Sequence, residues 1–331
     1  MKAQVIKKFG DPSVFEIAEV PKPEVITGHV VIQVKATSVN PIDTKVRSGL
    51  VPAVAPEFPA VLHGDVAGVV VEVGEGVTEF KAGDEVFGCA GGFKGTGGSL
   101  AEYMLADVQL LAPKPKNLTM AQAAALPLVT ITAWESLYNR ANVQKGQTVL
   151  VHAATGGVGH VAIQLAKLAG AKVFTTASSE EKLSIGKRLG ADVSINYLEQ
   201  TVAEYVKEHT DGKGFDVVFD TVGGENLDWS FQAAATFGTV LAIAARSTHD
   251  LSPLHAKALS LHITFMLLKV INKEQRHEYG KILREVTKLV EEGKLQPLVD
   301  KRVFNFDQVK EAHTLLESNK AIGKVVLTNE W

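Results

Sequence analysis

Residues 153–159 read Ala153-Ala154-Thr155-Gly156-Gly157-Val158-Gly159, a run of small residues suited to wrapping backbone around an anion. Glycine is needed where such a turn is too tight for a Cβ, where the backbone must approach a pyrophosphate, and where a helix packs closely on a strand. Gly156 and Gly159 fill the second and third of these positions, and Ala154 replaces the first. A β-branched stretch, 148–153, leads into the turn. Behind it Val158, Val161, Ala162, Leu165, Ala166 and Ala169 recur at helical spacing up to Gly170. A helix that starts here presents unpaired N–H groups and the positive end of its dipole to a bound anion. Strand, turn and helix together, within residues 148–197, predict a nicotinamide dinucleotide site with Ala154, Thr155, Gly156, Gly157, Val158 and Gly159 around the pyrophosphate.

An Asp or Glu about twenty residues beyond such a turn would bond the ribose 2′-hydroxyl of NADH. The second strand ends in Thr176-Ala177-Ser178-Ser179, with no acid at its tip. Ser178 takes that place and Lys182 follows one turn later, so a 2′-phosphate would meet a hydroxyl and a cation. The alternative is that Ser178 and Glu181 form a capping box and Lys182 is a solvated helix residue. Glu180 and Glu181 would repel a phosphate that they faced.

The surrounding pattern must position this turn. From about Thr119, whose spacing to Gln122 is that of a capping box, strand-like stretches at 148–153, 172–176, 192–195, 216–220 and 238–243 alternate with helical ones. That alternation predicts a parallel sheet covered on both faces. The first third of the chain, with strands at 30–34, 67–73 and 84–88 between Gly and Pro signals, reads as a mostly antiparallel β domain. The glycine-rich run 91–98 reads as a mobile loop or as backbone approaching a ligand. After about Ile271, Ile282, Val286, Leu289 and Val290 predict a long helix, followed by a short helix around 309–316 and a strand at 324–327. A last strand there could return to the first domain, making the dinucleotide unit an insertion.

The bulk properties narrow the function. The chain has 331 residues, is 46% hydrophobic and carries a formal charge of −3, enough for two domains with separate cores. It shows no basic stripe for nucleic acid and no apolar run long enough to span a membrane. Cys89 is the only cysteine, which excludes an intrachain disulfide or a multi-cysteine zinc site. A cytoplasmic protein acting on a small molecule is expected.

In these residues and in several further motifs, the chain resembles the medium-chain dehydrogenase/reductases, and within them the zinc-independent NADPH:quinone oxidoreductase branch. The resemblance rests on Ser38-Val39-Asn40-Pro41-Ile42-Asp43 with Arg47-Ser48-Gly49, on Gly64-Asp65-Val66-Ala67-Gly68-Val69-Val70, and on Val73-Gly74-Glu75-Gly76-Val77 with Phe80-Lys81-Ala82-Gly83-Asp84-Glu85-Val86. The turn at 153–159, Asp220-Thr221-Val222-Gly223-Gly224 and Gly323-Lys324-Val325-Val326-Leu327 complete it. It implies an α/β protein in which a Rossmann doubly wound parallel sheet, 123–272, is inserted in a GroES-like, mostly antiparallel β domain formed by 1–122 and 273–331. It also implies NADPH as cofactor, with Lys182 and Tyr197 beside Ser178 at the 2′-phosphate. Asn40 and Thr132 would lie by the nicotinamide and substrate. A homodimer would form through the Rossmann edge strand near residues 262–268.

Alcohol dehydrogenase relatives hold a catalytic zinc with a cysteine near 39–43 and a His-Glu pair where this chain has Gly64-Asp65. A catalytic zinc needs three protein ligands, and here the set is incomplete; His63 lies one place off. Without a Lewis acid, a quinone or an enone is a better hydride acceptor than a simple alcohol is a donor, because the anion that forms is delocalised. The leading expectation is therefore an NADPH-dependent reductase of quinones or α,β-unsaturated carbonyls. A zinc-dependent alcohol dehydrogenase and a non-catalytic NADPH-binding protein are the alternatives. Lys45 and Val51 stand where some quinone reductases carry tyrosines, so the acceptor site differs from theirs.

Overall fold

Valine and isoleucine crowd residues 30–34, and this run lies inside the longest strand, His29–Val39. The computed structural model, which describes residues 1–331, divides into two units, one of Met1–Ile131 with Met266–Trp331 and one of Thr132–Phe265. In the first, His29–Val39 pairs antiparallel with Asp65–Val73, Tyr103–Asp107 and the returning strand Val325–Thr328. Glu85–Cys89 and Leu111–Pro113 extend the sheet, and Phe304–Asn305 adds a parallel pairing on Val325–Thr328. Val30, Val31 and Ile32 are all fully buried, so both faces of the central strand are covered. Gly68 sits opposite Val34, and a Cβ there would lie 2.2 Å from the Gln33 carbonyl oxygen. A smaller sheet sets Lys2–Ile6 between Glu16–Glu19 and Ala60–Val61.

The helix predicted after Ile271 is Arg276–Glu291, which buries Tyr279, Ile282, Leu283, Val286 and Val290 against the segment 108–113. At Gly280 a Cβ would come within 2.6 Å of the Gln109 carbonyl oxygen. The glycine-rich run 91–98 is packed against the β unit rather than loose. Its glycines let backbone lie on backbone: Gly98 N–H donates to Val61 O at 3.0 Å, and Cβ atoms at Gly91 and Gly98 would sit 2.0 Å from the carbonyl oxygens of Gly97 and Leu62.

The second unit is a six-stranded, wholly parallel sheet. Its order is Val193–Asn196, Lys172–Ala177, Thr148–Val151, Phe215–Asp220, Ala234–Ala242, Ser260–Ile263. Numbered along the chain this is 3-2-1-4-5-6, the doubly wound Rossmann order, and its switch point lies between Thr148–Val151 and Phe215–Asp220. Helices Gly157–Leu168, Glu180–Arg188, Val202–Thr210 and Glu225–Ala233 make crossovers.

One sequence expectation shifts. The run 262–268 is not one strand: pairing covers Ser260–Ile263, its last bond is Thr264 N–H to Ala242 O at 3.0 Å, and the chain turns helical at Leu267–Asn272. Met120–Ala124, capped by Thr119 and Gln122 as expected, packs on His29–Val39 and Asp65–Val73. Tyr279 Oη donates to Met266 O at 2.6 Å, tying Leu267–Asn272 to the long helix.

Because the clash at Gly68 is with paired backbone, Gly68→Ala should cost about 1–3 kcal/mol, as overpacked cores do. Thermal unfolding checks this, and an unchanged midpoint would contradict it.

Candidate active site

In the parallel unit, the chain leaves Thr148–Val151 and reverses through Ala153, whose φ of +60° is one that residues other than glycine seldom adopt. This tight reversal explains Gly159, where a Cβ would lie 2.1 Å from Ala153 O. Gly156 is the N-cap of Gly157–Leu168. Ala154, Thr155, Val158 and Gly159 are buried, while Gly156 and Gly157 are half-exposed. The first N–H groups of this helix have no partner within it and lie at the carboxyl end of the central strand, next to the switch point where such sheets bind ligands.

The expected 2′-phosphate residues gather at one sheet edge. Ala177 is paired with Asn196, and Tyr197 N–H donates to Ala177 O at 3.2 Å, so Ser178 and Tyr197 follow neighbouring strand ends. Lys182 is half-buried in the first turn of Glu180–Arg188, and Tyr197 is 47% exposed. The cap of that helix is Ser179, whose Oγ accepts from Lys182 N–H at 3.4 Å. The Ser178–Glu181 capping box is therefore corrected: the helix begins one residue later, which leaves the Ser178 side chain outside the cap. Asp220 ends its strand by accepting from Val222 and Gly223 N–H at 2.7 and 2.8 Å.

His152, which sequence reasoning passed over, is buried at the tip of the central strand. Its Nδ1 lies 3.1 Å from Thr176 Oγ1, and its Nε2 has no hydrogen-bond partner. Burial pushes its pKa down to about 4, against the opposite pull of Asp220. Thr132, on Pro127–Trp134, is buried, and its carbonyl accepts from Ser136 Oγ at 2.8 Å.

In the β unit, Asn40 is fully buried as N-cap of Pro41–Ser48, the turn role expected before Pro41. Its side chain does more. Nδ2 donates to Asp65 Oδ2 at 2.8 Å, and Oδ1 accepts from the buried ammonium of Lys324. Lys324 also donates to Val39 O at 3.1 Å and lies 3.5 Å from Asp65 Oδ2. Asp65 further accepts from Ser38 Oγ at 2.8 Å and Leu128 N–H at 2.9 Å. Asp43 Oδ2 accepts from Asn40 N–H at 2.7 Å while Oδ1 has no partner, and burial raises its pKa to about 7. Asp65 and Lys324 were visible only as parts of motifs; the signal was a charged residue set against an apolar strand at each place.

Beside this cluster an ion pair leads into two buried imidazoles. Arg47 pairs with Glu317 at 2.6 Å and reaches His313 Nδ1 at 3.4 Å; His313 Nε2 lies 2.8 Å from His63 Nε2, and His63 Nδ1 lies 3.3 Å from Thr37 Oγ1. A guanidinium only donates, so His313 Nδ1 accepts. Its proton is then on Nε2, donated to His63, whose own proton on Nδ1 points to Thr37. Thr37 Oγ1 donates in turn to Asp65 O at 2.6 Å. Burial lowers the pKa of His63 to about 3, and burial with the nearby His63 and Arg47 lowers that of His313 well below its ordinary value.

At the position of the relatives' zinc histidine, Gly64, a Cβ would lie 2.7 Å from Phe93 Cε2 and 3.0 Å from both Cys89 Sγ and Gly91 O. The site is packed shut. No three His, Cys, Asp or Glu side chains are grouped to hold a metal ion.

A split β unit and a doubly wound parallel unit with a glycine turn at its switch point define a dinucleotide-binding oxidoreductase class. Residues 27–116 match the family described as alcohol dehydrogenase GroES-like domain, and 189–327 match the one described as zinc-binding dehydrogenase. The chain is 36% identical over 334 residues to an Arabidopsis thaliana chloroplastic NADPH-dependent alkenal/one oxidoreductase, covering 99% of this chain and 79% of that one. It is 31% identical to the Rattus norvegicus quinone oxidoreductase, over 99% and 97% of the two chains. A mycobacterial protein solved in complex with NADPH is 32% identical, with a TM-score of 0.88 over 99% of this chain and all of that one (100%). The chain belongs to the medium-chain dehydrogenase/reductase superfamily and is an oxidoreductase of its quinone and enone reductase type.

The buried histidines set a pH dependence. In the unfolded chain each takes up a proton near pH 6.5, whereas folded His152 and His63 do so only near pH 4 and 3, and His313 is lowered likewise. The unfolded state thus binds more protons as pH falls below about 6.5, and stability is lost. Asp43 acts in the opposite sense between about pH 4 and 7 but is one group against three. Urea unfolding at pH 7.5 and 5 should show a lower midpoint at pH 5, less so in His313→Gln; equal midpoints for the wild type would contradict this.

Proposed function

We propose that the protein is an NADPH-dependent, zinc-independent reductase that delivers hydride to quinones or α,β-unsaturated carbonyls. The observation that carries this reading is the closed packing at Gly64 beside an Asp65 already committed to Lys324, Asn40 and Ser38. A ligand side chain would have to displace Phe93 or backbone to enter there. The names of the Arabidopsis, rat and mycobacterial relatives agree with the cofactor and the acceptors.

The residues fit the cofactor. Gly159 lets the helix start hard against the strand tip, where a Cβ would lie 2.1 Å from Ala153 O, and the backbone of 154–159 with the start of Gly157–Leu168 would hold the pyrophosphate. Ser178, Lys182 and Tyr197 would hold the 2′-phosphate, Lys182 by charge. Bound NADPH supplies a hydride from nicotinamide C4.

The chain's own contribution is orientation and an oxyanion donor. An amide nitrogen carries two N–H groups; Asp65 takes one from Asn40, and the other serves the oxygen on which charge develops as hydride arrives. Thr132 lines the nicotinamide side. The anion is an enolate or a hydroquinone monoanion, so a modest donor is enough to hold it, and a proton then completes the product. The protein acts as a homodimer joined along Ser260–Ile263, the sheet's edge strand, where Ile263 and nearby Phe265 are 47% and 42% exposed. Its place is the cytoplasm, in keeping with a single cysteine that is buried and unpaired.

Purified protein given NADPH and a panel of quinones and enones should consume the nicotinamide absorbance and contain no stoichiometric zinc. No turnover on any acceptor, or one zinc per chain, would overturn the reading. Lys182→Ala should weaken NADPH binding about tenfold or more, the loss of one charged hydrogen bond, and NADH binding hardly at all. Equal losses would remove Lys182 from the 2′-phosphate.

A further inference from the structure

We infer that Lys324 is a positioning residue that fixes which way round the Asn40 carboxamide is held, making Asn40 a one-way hydrogen-bond donor toward the acceptor substrate. The inference rests on the reading of Asn40 as the group that meets the developing oxyanion.

An asparagine side chain has nearly the same shape when flipped, and its neighbours decide its orientation. Here they decide it by charge. An ammonium has donors and no acceptor, and an ionised carboxylate has acceptors and no donor. With Lys324 on Oδ1 and Asp65 on Nδ2, a flip would set NH₂ against ammonium and a carbonyl oxygen against carboxylate. Both bonds would be lost and both contacts would become repulsive. Each of the three Lys324 donors is directed, to Asn40 Oδ1, Val39 O and Asp65 Oδ2. Asp65 is anchored independently by Ser38 and Leu128, so the pair forms a rigid frame around the amide.

Stability alone gives a poor reason for this frame. Lys324 and Asp65 are 3% and 0% exposed at their side chains, and a buried ion pair is often no better for stability than apolar residues of similar volume. The pKa of Lys324 is lowered, by burial first and against the opposite pull of Asp65 and Asp43, so the lysine sits there at a desolvation cost, and its three oxygen contacts make it a donor. Val325, Val326 and Leu327, the next residues, are wholly apolar and buried; the strand itself would be served by another of their kind. A frame that aims the amide explains the charge.

The test is a double-mutant cycle on NADPH turnover with an enone, using Asn40→Ala, Lys324→Met and both together. Asn40→Ala should lower kcat about a hundredfold, as loss of one oxyanion donor does. Lys324→Met should lower kcat at least about tenfold with NADPH affinity, read by fluorescence titration, unchanged within about twofold, because only the donor's aim is lost. In the Asn40→Ala background Lys324→Met should cost less than about threefold more, as expected for groups acting as one unit. A merely structural lysine would instead multiply the two losses, and that result would overturn the inference. Should Asn40→Ala leave kcat intact, the reading of Asn40 fails, which is a separate outcome.

A second readout needs no turnover. The Asn40 side-chain NH₂ resonances of the protein without cofactor, assigned by their loss in Asn40→Ala, should be slow to exchange and should move and broaden on removal of Lys324. Unmoved resonances would also overturn the inference. If Lys324→Met does not fold, Asp65→Asn with Lys324→Met removes both charges together, leaves no unpaired buried carboxylate, and is read in the same two ways.

Discussion

The rest of the β unit is arranged around one buried contact, the Lys324 ammonium between Asp65, Asn40 and the Val39 carbonyl. Its members come from three distant parts of the chain: the end of His29–Val39, the start of Asp65–Val73, and the residue before Val325–Thr328. Strand register brings them together. Val325 faces Val39 and Ala67 faces Ala36, so the returning carboxyl-terminal strand delivers Lys324 beside Asn40. A buried charge left without partners is expensive, so this contact ties the closing strand to one register. The neighbouring chain from Arg47 through His313 and His63 to Thr37 ends on the carbonyl of the same Asp65, so the aspartate is held at backbone and side chain alike.

The parallel unit rests on a different constraint, the reversal after Thr148–Val151. Ala153 takes a left-handed φ and Gly159 gives up its side chain so that the helix can start close to the strand tip. Local strain of this kind persists where surrounding structure over-determines it, and it clusters where ligands are clamped. Thr176 is part of that determination: its Oγ1 accepts from Ala153 N–H, and its carbonyl accepts from Ala154 N–H. The proposed division of labour follows, with the turn holding the dinucleotide and the charged frame aiming an amide.

How far the molecule was legible in its sequence depended on the range of the interactions. The turn at 153–159, the alternation of strands and helices, and the Thr119–Gln122 cap are local patterns of residue type, and each could be read directly. The strand expected at 238–243 begins earlier, at Ala234, because the preceding helix stops at Ala233 and pairing with Phe215 takes over at once. Ser179 displaced Ser178 as helix cap, a choice between adjacent serines that composition does not distinguish. The glycines of 91–98 pack against residues 61–63, a contact with no local signature. Least legible was the charged frame. Lys324 and Asp65 are 259 positions apart, and the motifs that contain them gave no sign that they meet.

In the proposed reaction hydride passes directly to a conjugated acceptor with no metal taking part. NADPH carrying deuterium at the transferring C4 position, incubated with the protein and an enone in the presence of a strong zinc chelator, tests this by mass spectrometry of the product. One deuterium on the former β-carbon, at a rate unaffected by the chelator, is the predicted result. Unlabelled product, or turnover that the chelator abolishes and zinc restores, would contradict it.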